Sequence, residues 1–542
     1  MIKQKIENLL KDIAGKAVKI EIFAPENEAF GHYSTNIALK LAKALKKNPT
    51  ETAKEIESRI KNHKSKIFEK IEIAPPGFIN FWLSEKVFQN ELKEILEKKS
   101  SYAKVSKDKG KIQIEFISAN PTGPLTLANG RGGFMGDVLA NILEFQGYKI
   151  EREYYVNDTG NQISTLGKSI LAASGLIKNE ENFYKGGYVK EWAKKHKIIS
   201  EKNRDNPLKL GQLAAADFLK EIKLVVKKAK INFSRWTSED RHIHKKSFVA
   251  KALAIFSAGG GSISGGEKKK LVYKKDGALW LRTTDFGDEK DRVLVTQDGF
   301  PTYFLADAGH FLETKSRGFN SKIMILGPDH HGYVGRAATA AKIMGIENFE
   351  IIITQAMRLM SKGEEMKMSK RSGEFITFEE LIKEVGLDAA RFFFLTHSAD
   401  THMDFDLDLA KEHSMKNPVY YVQYAAVRCQ SILQKSKSVH SNILKNIGMN
   451  FKLLNTPEDI NLMRILARFP EIVEEAAGKY NPQILTRYAA DLARVFHNFY
   501  EKERIIGEEK NLMLARLALI QATLIIFRNL FALLGIKLPK KM

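Results

Sequence analysis

The chain of 542 residues has a single cysteine, Cys429. One thiol excludes a disulfide within the chain and a zinc site built from several cysteines. Residues 1–16 mix both signs of charge at helical apolar spacing, so they resemble neither a secretory signal nor an acid-poor transit peptide. These absences predict a cytoplasmic protein without zinc.

Long uninterrupted apolar runs are also missing. The most apolar late stretch, residues 514–536, contains Arg516, Gln521, Arg528 and Asn529. A membrane span of about 20 residues rarely carries two arginines. This stretch therefore predicts a buried helix, and we expect a soluble chain with no membrane partner.

Two common phosphate-binding fingerprints are absent as well. The glycine-rich run at 258–266 lacks the Gly-Lys-Ser/Thr ending of a phosphate loop, so it predicts a flexible loop without chemistry. The Pro- and Gly-containing turn at 118–124 is not followed by the GxGxxG spacing of dinucleotide enzymes. A nucleotide site in this chain would be of another kind.

Positive charge, in contrast, is abundant. Lys and Arg number 86 against 64 Asp and Glu, which gives a formal net charge of +22. A long-range positive field suits a polyanion such as nucleic acid. The alternative is a solubility charge in a lysine-biased proteome.

The length predicts three to four domains at about 150 residues each. Apolar spacing and short strand-like runs predict an α+β module over residues 1–108. An α/β pattern follows over 109–406, with a mostly helical insertion at about 160–270. Strand signals stop beyond about residue 407, so residues 407–542 predict an all-helical domain.

The α/β part opens with a strand, a tight turn and a helix. Residues 112–117 predict the strand, and the helix begins near Leu125. This order presents a helix N-terminus to an anion or nucleotide. Each glycine costs a helix about 1 kcal/mol relative to alanine, so we expect something to approach this helix closely. The glycines are Gly130, Gly132, Gly133 and Gly136.

Polar residues on three segments are candidates for one pocket. Glu115 and Asn120 flank the turn. Tyr303, Asp307 and His310 fall at i, i+4 and i+7 of a predicted helix and so share a face. A carboxylate beside a phenol suits a cationic ligand, although a solvated Asp beside a packed Tyr gives the same pattern.

Two further segments suit a nucleotide. Residues 327–333, Gly-Pro-Asp-His-His-Gly-Tyr, follow a buried strand, where α/β sheets bind ligands. Adjacent histidines make a poor metal pair, so we expect hydrogen bonds to nucleotide or substrate. Residues 366–373, Met-Lys-Met-Ser-Lys-Arg-Ser-Gly, suit a loop that closes on a polyphosphate. Alone, a Lys-x-x-Lys pair arises by accident in so lysine-rich a chain.

Together these motifs resemble the arginyl-tRNA synthetase branch of the class I aminoacyl-tRNA synthetases. The segments that carry the resemblance are 24–36, 115–125, 154–161, 277–287, 327–332, 366–373, 417–424 and 491–494. The resemblance implies a tRNA-contacting N-terminal module, a Rossmann-type parallel-sheet catalytic domain and a helical anticodon-binding domain. It also implies a monomer.

The resemblance further implies that L-arginine is activated with ATP and Mg²⁺ and transferred to the 3′ end of tRNA(Arg). By this resemblance, the residues expected to bind arginine are Glu115, Asn120, Tyr303, Asp307 and His331. Those expected to bind ATP are Pro121, Thr122, Gly123, Thr126, Ala128, Asn129, Gly327, Asp329, His330, Met368, Ser369 and Lys370. The catalytic positions are Lys367 and Lys370, which would stabilise the leaving pyrophosphate, with Thr126 and Asn129.

One departure from the family pattern lies at the helix start. The His-x-Gly-His signature of class I enzymes reads Thr126-Leu127-Ala128-Asn129 here. Thr and Asn still donate hydrogen bonds, but neither becomes positively charged. Lys367 and Lys370 are then expected to carry more of the triphosphate charge. The alternatives are a catalytically impaired paralogue that keeps tRNA binding, and a synthetase for lysine.

Three aromatic residues of the helical domain are candidates for stacking on tRNA bases, namely Tyr488, Phe496 and Tyr500. The alternative is that they are core aromatics at helical spacing.

Overall fold

The structure is a computed structural model that describes residues 1–15, 18–25, 27–63, 66–259, 271–366, 376–436 and 450–542. Its first part is an antiparallel sheet of order β1-β2-β4-β3 packed with helices. The strands are β1 Ile22–Phe23, β2 Tyr33–Thr35, β3 Phe68–Ala74 and β4 Phe78–Leu83. The helices are α1 Ile2–Ala14, α2 Ile37–Leu45, α3 Pro49–Asn62 and α4 Glu85–Lys98. This arrangement confirms the predicted α+β class.

The middle of the chain is α/β. Its strands are β5 Lys111–Glu115, β6 Lys149–Val156, β7 Arg235–Ser238, β8 Val272–Lys275, β9 Ala278–Leu281, β10 Arg292–Val295, β11 Ser321–Leu326, β12 Asn348–Ile353, β13 Met357–Ser361, β14 Glu364–Glu365 and β15 Met403–Asp406. Its helices are α5 Leu127–Phe145, α6 Asn161–Ala173, α7 Gly187–Lys195, α8 Lys197–Lys202, α9 Pro207–Lys228, α10 Phe248–Ser257, α11 Tyr303–Ser316, α12 Val334–Ile343, α13 Phe378–Val385, α14 Leu387–Phe394 and α15 Leu407–Lys411.

The central sheet is parallel and has the order β12-β11-β5-β6-β7. Strands β6 and β7 follow β5 toward one edge of the sheet. Strands β11 and β12 come later in the chain and lie on the other side of β5. Such a reversal opens a crevice outside the carboxyl ends of the two inner strands, which is where α/β sheets bind ligands. Glu115 ends β5 and Gly327 follows β11. The sheet therefore brings the two predicted ligand segments to one edge.

Two features of this part do not follow from the sequence patterns. Strands β9 and β10 form, with β8, a separate antiparallel sheet of order β10-β9-β8. The insertion also contains β7, which pairs with β6. The four residues of β7 are too few and too polar to show a strand pattern. Helices α6, α7 and α9 do form a separate apolar core.

The glycines of α5 serve close packing of side chains rather than a ligand. A Cβ on Gly130 would lie 2.4 Å from the Phe378 ring, and one on Gly136 would lie 2.3 Å from the Phe116 ring. Gly132 differs, since its nearest neighbour would be 3.8 Å away. The predicted close approach to the helix backbone is therefore made by apolar side chains on both sides of α5.

Beyond α15 the regular elements of the described residues are helical. They are α16 Pro418–Lys435, α17 Pro457–Ala467, α18 Phe469–Gly478, α19 Gln483–Lys502 and α20 Lys510–Leu534. Among the described residues, α20 alone is long and apolar enough to cross a membrane, yet 83% of its apolar window is buried. Inside the domain Arg516 pairs with Glu503 and Asp459. The stretch is the buried helix that was predicted.

Candidate active site

Carboxylates and phenols from separate elements converge at the crevice beside β5. Glu115 ends the strand, and Asp307 lies on α11. Tyr333 donates a hydrogen bond to Asp307. Burial, and then the charges of Asp307 and Glu115, raise the pKa of the Tyr333 phenol. Glu115 and Asp307, which are far apart in sequence, therefore share one pocket.

Two more residues complete this pocket, and the sequence patterns did not single them out. Burial raises the pKa of Tyr155, and the nearby charges of Glu239, Asp307 and Glu115 raise it further. Glu239 begins a π-helical turn that Ser238 caps, and Ser238 in turn donates to Asp158 at 2.6 Å. Phenols and three carboxylates thus lie together in the pocket, and carboxylates are the groups that pair with a planar cation such as a guanidinium.

Asp307 has an unusual protonation behaviour. Burial raises the pKa of its carboxyl to about 7, and the hydrogen bond from Tyr333 opposes that rise. A carboxyl with such a pKa exchanges its proton near neutral pH, and a bound cation would favour the ionised form.

The other predicted arginine contacts lie at the rim. Tyr303 is 59% exposed at the first turn of α11, and its hydroxyl points toward the turn at Gly160. The Asn120 amide donates to Gln162 Oε1 at 2.5 Å, and His331 Nε2 lies 3.2 Å from Gln355 Nε2. Within the described ranges, no hydrogen bond joins Asn120 or His331 to Glu115 or Asp307.

The start of α5 presents the predicted phosphate donors. Thr126 is the N-cap, and both its backbone N–H and its hydroxyl donate to Asn129 Oδ1 at 2.9 Å. This capping box leaves the amide N–H groups of Asn129 as the donors that the pair offers to a phosphate. Ala128, the residue before Asn129 in the first turn of α5, is exposed.

The turn before α5 is shaped by buried residues. Pro121 and Thr122 are buried, and the Tyr188 ring would lie 2.7 Å from a Cβ on Gly123. Ile117 and Ser118 hold left-handed φ values of 63° and 37°. Left-handed backbone is costly for a β-branched residue such as Ile117, and such strain gathers at functional sites. Because Pro121 and Thr122 are buried, their side chains face away from solvent.

Gly327, Asp329 and His330 lie in the segment that follows β11. Asp329 and His330 are exposed, with His330 Nε2 3.6 Å from Asp329 Oδ2. Lys367, Met368, Ser369 and Lys370 lie outside the described residues. The chain that follows them is anchored at the start of α5, because Thr377 pairs with Thr126 and Phe378 N–H donates to Leu125 O.

Of the three aromatic residues predicted to stack on tRNA bases, two have no free ring face. Tyr488 is buried and donates to Ile465 O at 2.7 Å, and Phe496 is fully buried. Tyr500 is 36% exposed, with the Arg428 guanidinium 5.1 Å from its ring centroid. Helical spacing did not distinguish the inner from the outer face of α19.

A group that could hold a metal also lies near the pocket. Ligand atoms of Glu115, Glu153 and His310 fall within 4.8 Å of one another. The Lys322 ammonium lies 2.8 Å from the Glu115 carboxylate and 3.0 Å from that of Glu153. The position of a cation between the carboxylates is therefore taken by a side chain.

Models of three known protein families match the chain in succession. An arginyl-tRNA synthetase N-terminal domain matches residues 1–83, a class I (R) tRNA synthetase catalytic domain matches 91–394, and a DALR anticodon-binding domain matches 422–542. Arginine–tRNA ligases from Carboxydothermus hydrogenoformans and Listeria monocytogenes are each 39% identical to it, over 96% and 100% of this chain and 94% and 98% of theirs.

The chain belongs to the arginyl-tRNA synthetase family. The Thermus thermophilus arginyl-tRNA synthetase has the same fold, with a TM-score of 0.78 at 20% identity over all of both chains. The comparisons give no support to an impaired paralogue. In this arginyl-tRNA synthetase the Thr126–Asn129 capping box stands where the family pattern has two histidines.

Proposed function

We propose that this chain ligates L-arginine to tRNA(Arg) at the expense of ATP. The observation that carries the proposal is the pocket of Glu115, Asp307 and Glu239 around two phenols at the carboxyl edge of the sheet. A guanidinium offers a planar fork of donors that carboxylates accept. Tyr303, Asn120 and His331 at the rim would bind the α-amino and carboxylate end.

ATP would bind across the crevice from the start of α5. Asn129 and the backbone at Ala128 would donate to the triphosphate, and the segment Gly327–His330 would form the facing wall. We assign Lys367 and Lys370 to the β- and γ-phosphates, because the chain after them is anchored at Thr126. A phosphate between a helix N-terminus and two ammonium groups has both its charge and its hydrogen bonds satisfied.

The reaction then needs no protein nucleophile. The arginine carboxylate attacks the α-phosphorus and pyrophosphate leaves. A ribose hydroxyl at the tRNA 3′ end then attacks the adenylate carbonyl, which forms the ester, and AMP leaves. Catalysis comes from positioning and from stabilising the charge on the phosphates. We assign Mg²⁺ to the ATP phosphates, because the ligand group at Glu115 is already paired with Lys322.

The tRNA would lie along the N-terminal and helical parts. A net charge of +22 favours a polyanion, and the match to an anticodon-binding domain covers the C-terminal helices. We assign the pair of Tyr500 and Arg428 to stacking on a tRNA base. We expect a monomer acting in the cytoplasm.

Charging of tRNA by the purified protein tests the proposal. Arginine, lysine, ornithine and neutral citrulline are supplied in turn with ATP, Mg²⁺ and tRNA. We expect esterification with arginine alone, lost in Asp307→Ala and kept in Asp205→Ala, a control at an exposed position. No charging even at saturating tRNA would sink the ligase proposal in favour of a tRNA-binding protein. Charging with lysine would reassign the substrate.

A further inference from the structure

Lys322, the second residue of β11, is 0% exposed. Its ammonium lies 2.8 Å from Glu115 Oε2, 3.0 Å from Glu153 Oε2 and 2.6 Å from Gln113 Oε1. Fully buried lysines are rare, because an ammonium taken out of water costs several kcal/mol unless it is well paired. A lysine retained here points to a role that an apolar side chain cannot fill.

Sheet register explains how these groups meet. Lys322 pairs with Gln113 across the β11–β5 ladder, and Glu153 pairs with Glu115 across the β5–β6 ladder. Side chains alternate along a strand, so these residues project from one face of the sheet. Helix α11 brings His310 to the same face, with its Nε2 3.1 Å from Glu153 Oε2.

A polar seam thus runs between the sheet and α11, from the pocket to the far edge of the sheet. We define it by its charged members and His310. They are Glu115, Glu151, Glu153, Arg235, His310, Glu313, Arg317 and Lys322.

The cations of the polar seam differ in where they lie. Arg235 and Arg317 pair with Glu313 and each lie 3.7 Å from Glu153. The Lys322 ammonium is the lysine or arginine group of the polar seam that reaches Glu115.

Lys322 also restrains the Glu115 carboxylate. Its Oε2 is buried, and the ammonium lies 2.8 Å from it. Without the ammonium, the Glu115 and Glu153 carboxylates would face each other at short range. Like charges at short range repel each other. Glu115 would then turn out of the orientation in which the ammonium holds it.

We propose that Lys322 is a positioning residue that holds the Glu115 carboxylate aimed at the positively charged group of substrate arginine. The inference rests on the proposed role of Glu115 in arginine binding. Glu153 and Gln113 hold the ammonium end in place. Lys322 thereby sets the affinity for a cationic amino acid without touching it.

Kinetics of Lys322→Met test this inference against simple loss of stability. We expect the arginine KM in tRNA charging to rise about tenfold or more, with kcat at saturating arginine within about threefold and the KM for ATP unchanged. Glu313→Gln is the matched control, since it alters a buried carboxylate of the polar seam that does not touch Glu115. It should leave the arginine KM as in the wild type.

The double variant K322M/E153Q separates positioning from charge balance. Removing both members of the ion pair relieves the carboxylate repulsion, so the thermal midpoint should recover toward the wild type. The arginine KM should stay raised, because relief of the repulsion does not restore the ammonium contact that fixes the orientation of Glu115. If KM and midpoint recover together, Lys322 is purely structural and the inference is wrong.

Other outcomes are equally decisive. An unchanged or lower arginine KM in K322M overturns the inference, and if K322M does not fold, the double variant gives the same readout. A wild type that charges no arginine refutes the proposed function instead. If the wild type charges tRNA with arginine and these variants keep a normal arginine KM, the role of Lys322 is refuted and the proposed function stands.

Discussion

At the scale of single residues, Asp307 links arginine binding to pH. Its pKa of about 7 means that the free site is partly protonated at neutral pH, whereas a guanidinium requires the ionised carboxylate. Arginine affinity should therefore fall as the pH drops below 7, approaching about tenfold per pH unit, and level off above it. The arginine KM measured from pH 5.5 to 8.5 gives this profile.

Asp307→Asn supplies the control for that profile, because an amide cannot titrate. Its arginine KM should be higher throughout and lack the break near pH 7. A wild-type profile as flat as that of the variant would show that Asp307 does not bind the substrate cation.

Tyr500 allows a second test at this scale. Tyr500→Ala should weaken tRNA binding by about 1–3 kcal/mol, the usual worth of one stacked base. Tyr488→Phe removes only a buried hydroxyl bonded to Ile465 O, so it should leave tRNA affinity unchanged. Filter binding of the tRNA to each variant measures both. Equal affinities in Tyr500→Ala and the wild type would remove Tyr500 from the interface.

Single residues were predictable from sequence only where a local pattern carries them. The i, i+4 spacing found Tyr303 and Asp307 because both lie on one helix. Glu153, Lys322 and Glu239 were missed because their neighbours come from other strands, and cross-strand register cannot be read from a single sequence. Only some residues of the pocket could therefore be predicted before the fold was known.

At the scale of elements, α5 should respond in opposite ways to alanine at two nearby glycines. A methyl group at Gly130 meets the Phe378 ring at 2.4 Å, so Gly130→Ala should cost about 1–3 kcal/mol through overpacking. Gly132→Ala finds its nearest neighbour at 3.8 Å and should be neutral or gain up to about 1 kcal/mol of helix propensity. Urea unfolding of both variants compares them directly.

The same pair tests how the lysine segment is anchored. Phe378 directly follows Thr377, which pairs with Thr126. Displacing Phe378 should therefore raise the KM for ATP in Gly130→Ala and not in Gly132→Ala. Equal stability and equal ATP KM in the two variants would contradict the packing argument.

Elements with strong periodicity were predicted well, and short ones were not. Helices α11 and α20 and strands β5 and β11 lie where their apolar spacing placed them, within a few residues. Strand β7 exists because β6 offers it an edge, which is a tertiary cause. Likewise β9 and β10 look like any buried strands, and only the fold assigns them to a different sheet.

At the scale of the whole molecule, a buried ion pair joins the catalytic and helical parts. Arg391 on α14 is 1% exposed, and its guanidinium lies 2.6 Å from Asp137 of α5 and 3.4 Å from Leu534 O at the end of α20. One side chain thus connects α5 to the C-terminal helix α20. Removing it leaves the buried Asp137 carboxylate with the Arg152 guanidinium 3.9 Å away and a hydrogen bond from the Asn232 backbone N–H.

Arg391→Met should therefore lower the stability of the first unfolding transition in urea by about 3–5 kcal/mol, the usual cost of a buried charge left without its partner. Arg358→Met is the matched control, because Arg358 makes a two-point contact with Asp404 at 2.7 and 2.8 Å on the surface. That exposed pair is screened by water, so its loss should lower stability far less than the loss of Arg391. In D137N/R391M the loss should be smaller than in R391M, since no buried charge is stranded. Equal effects of the two arginine substitutions would mean that the helical part is held by apolar packing alone.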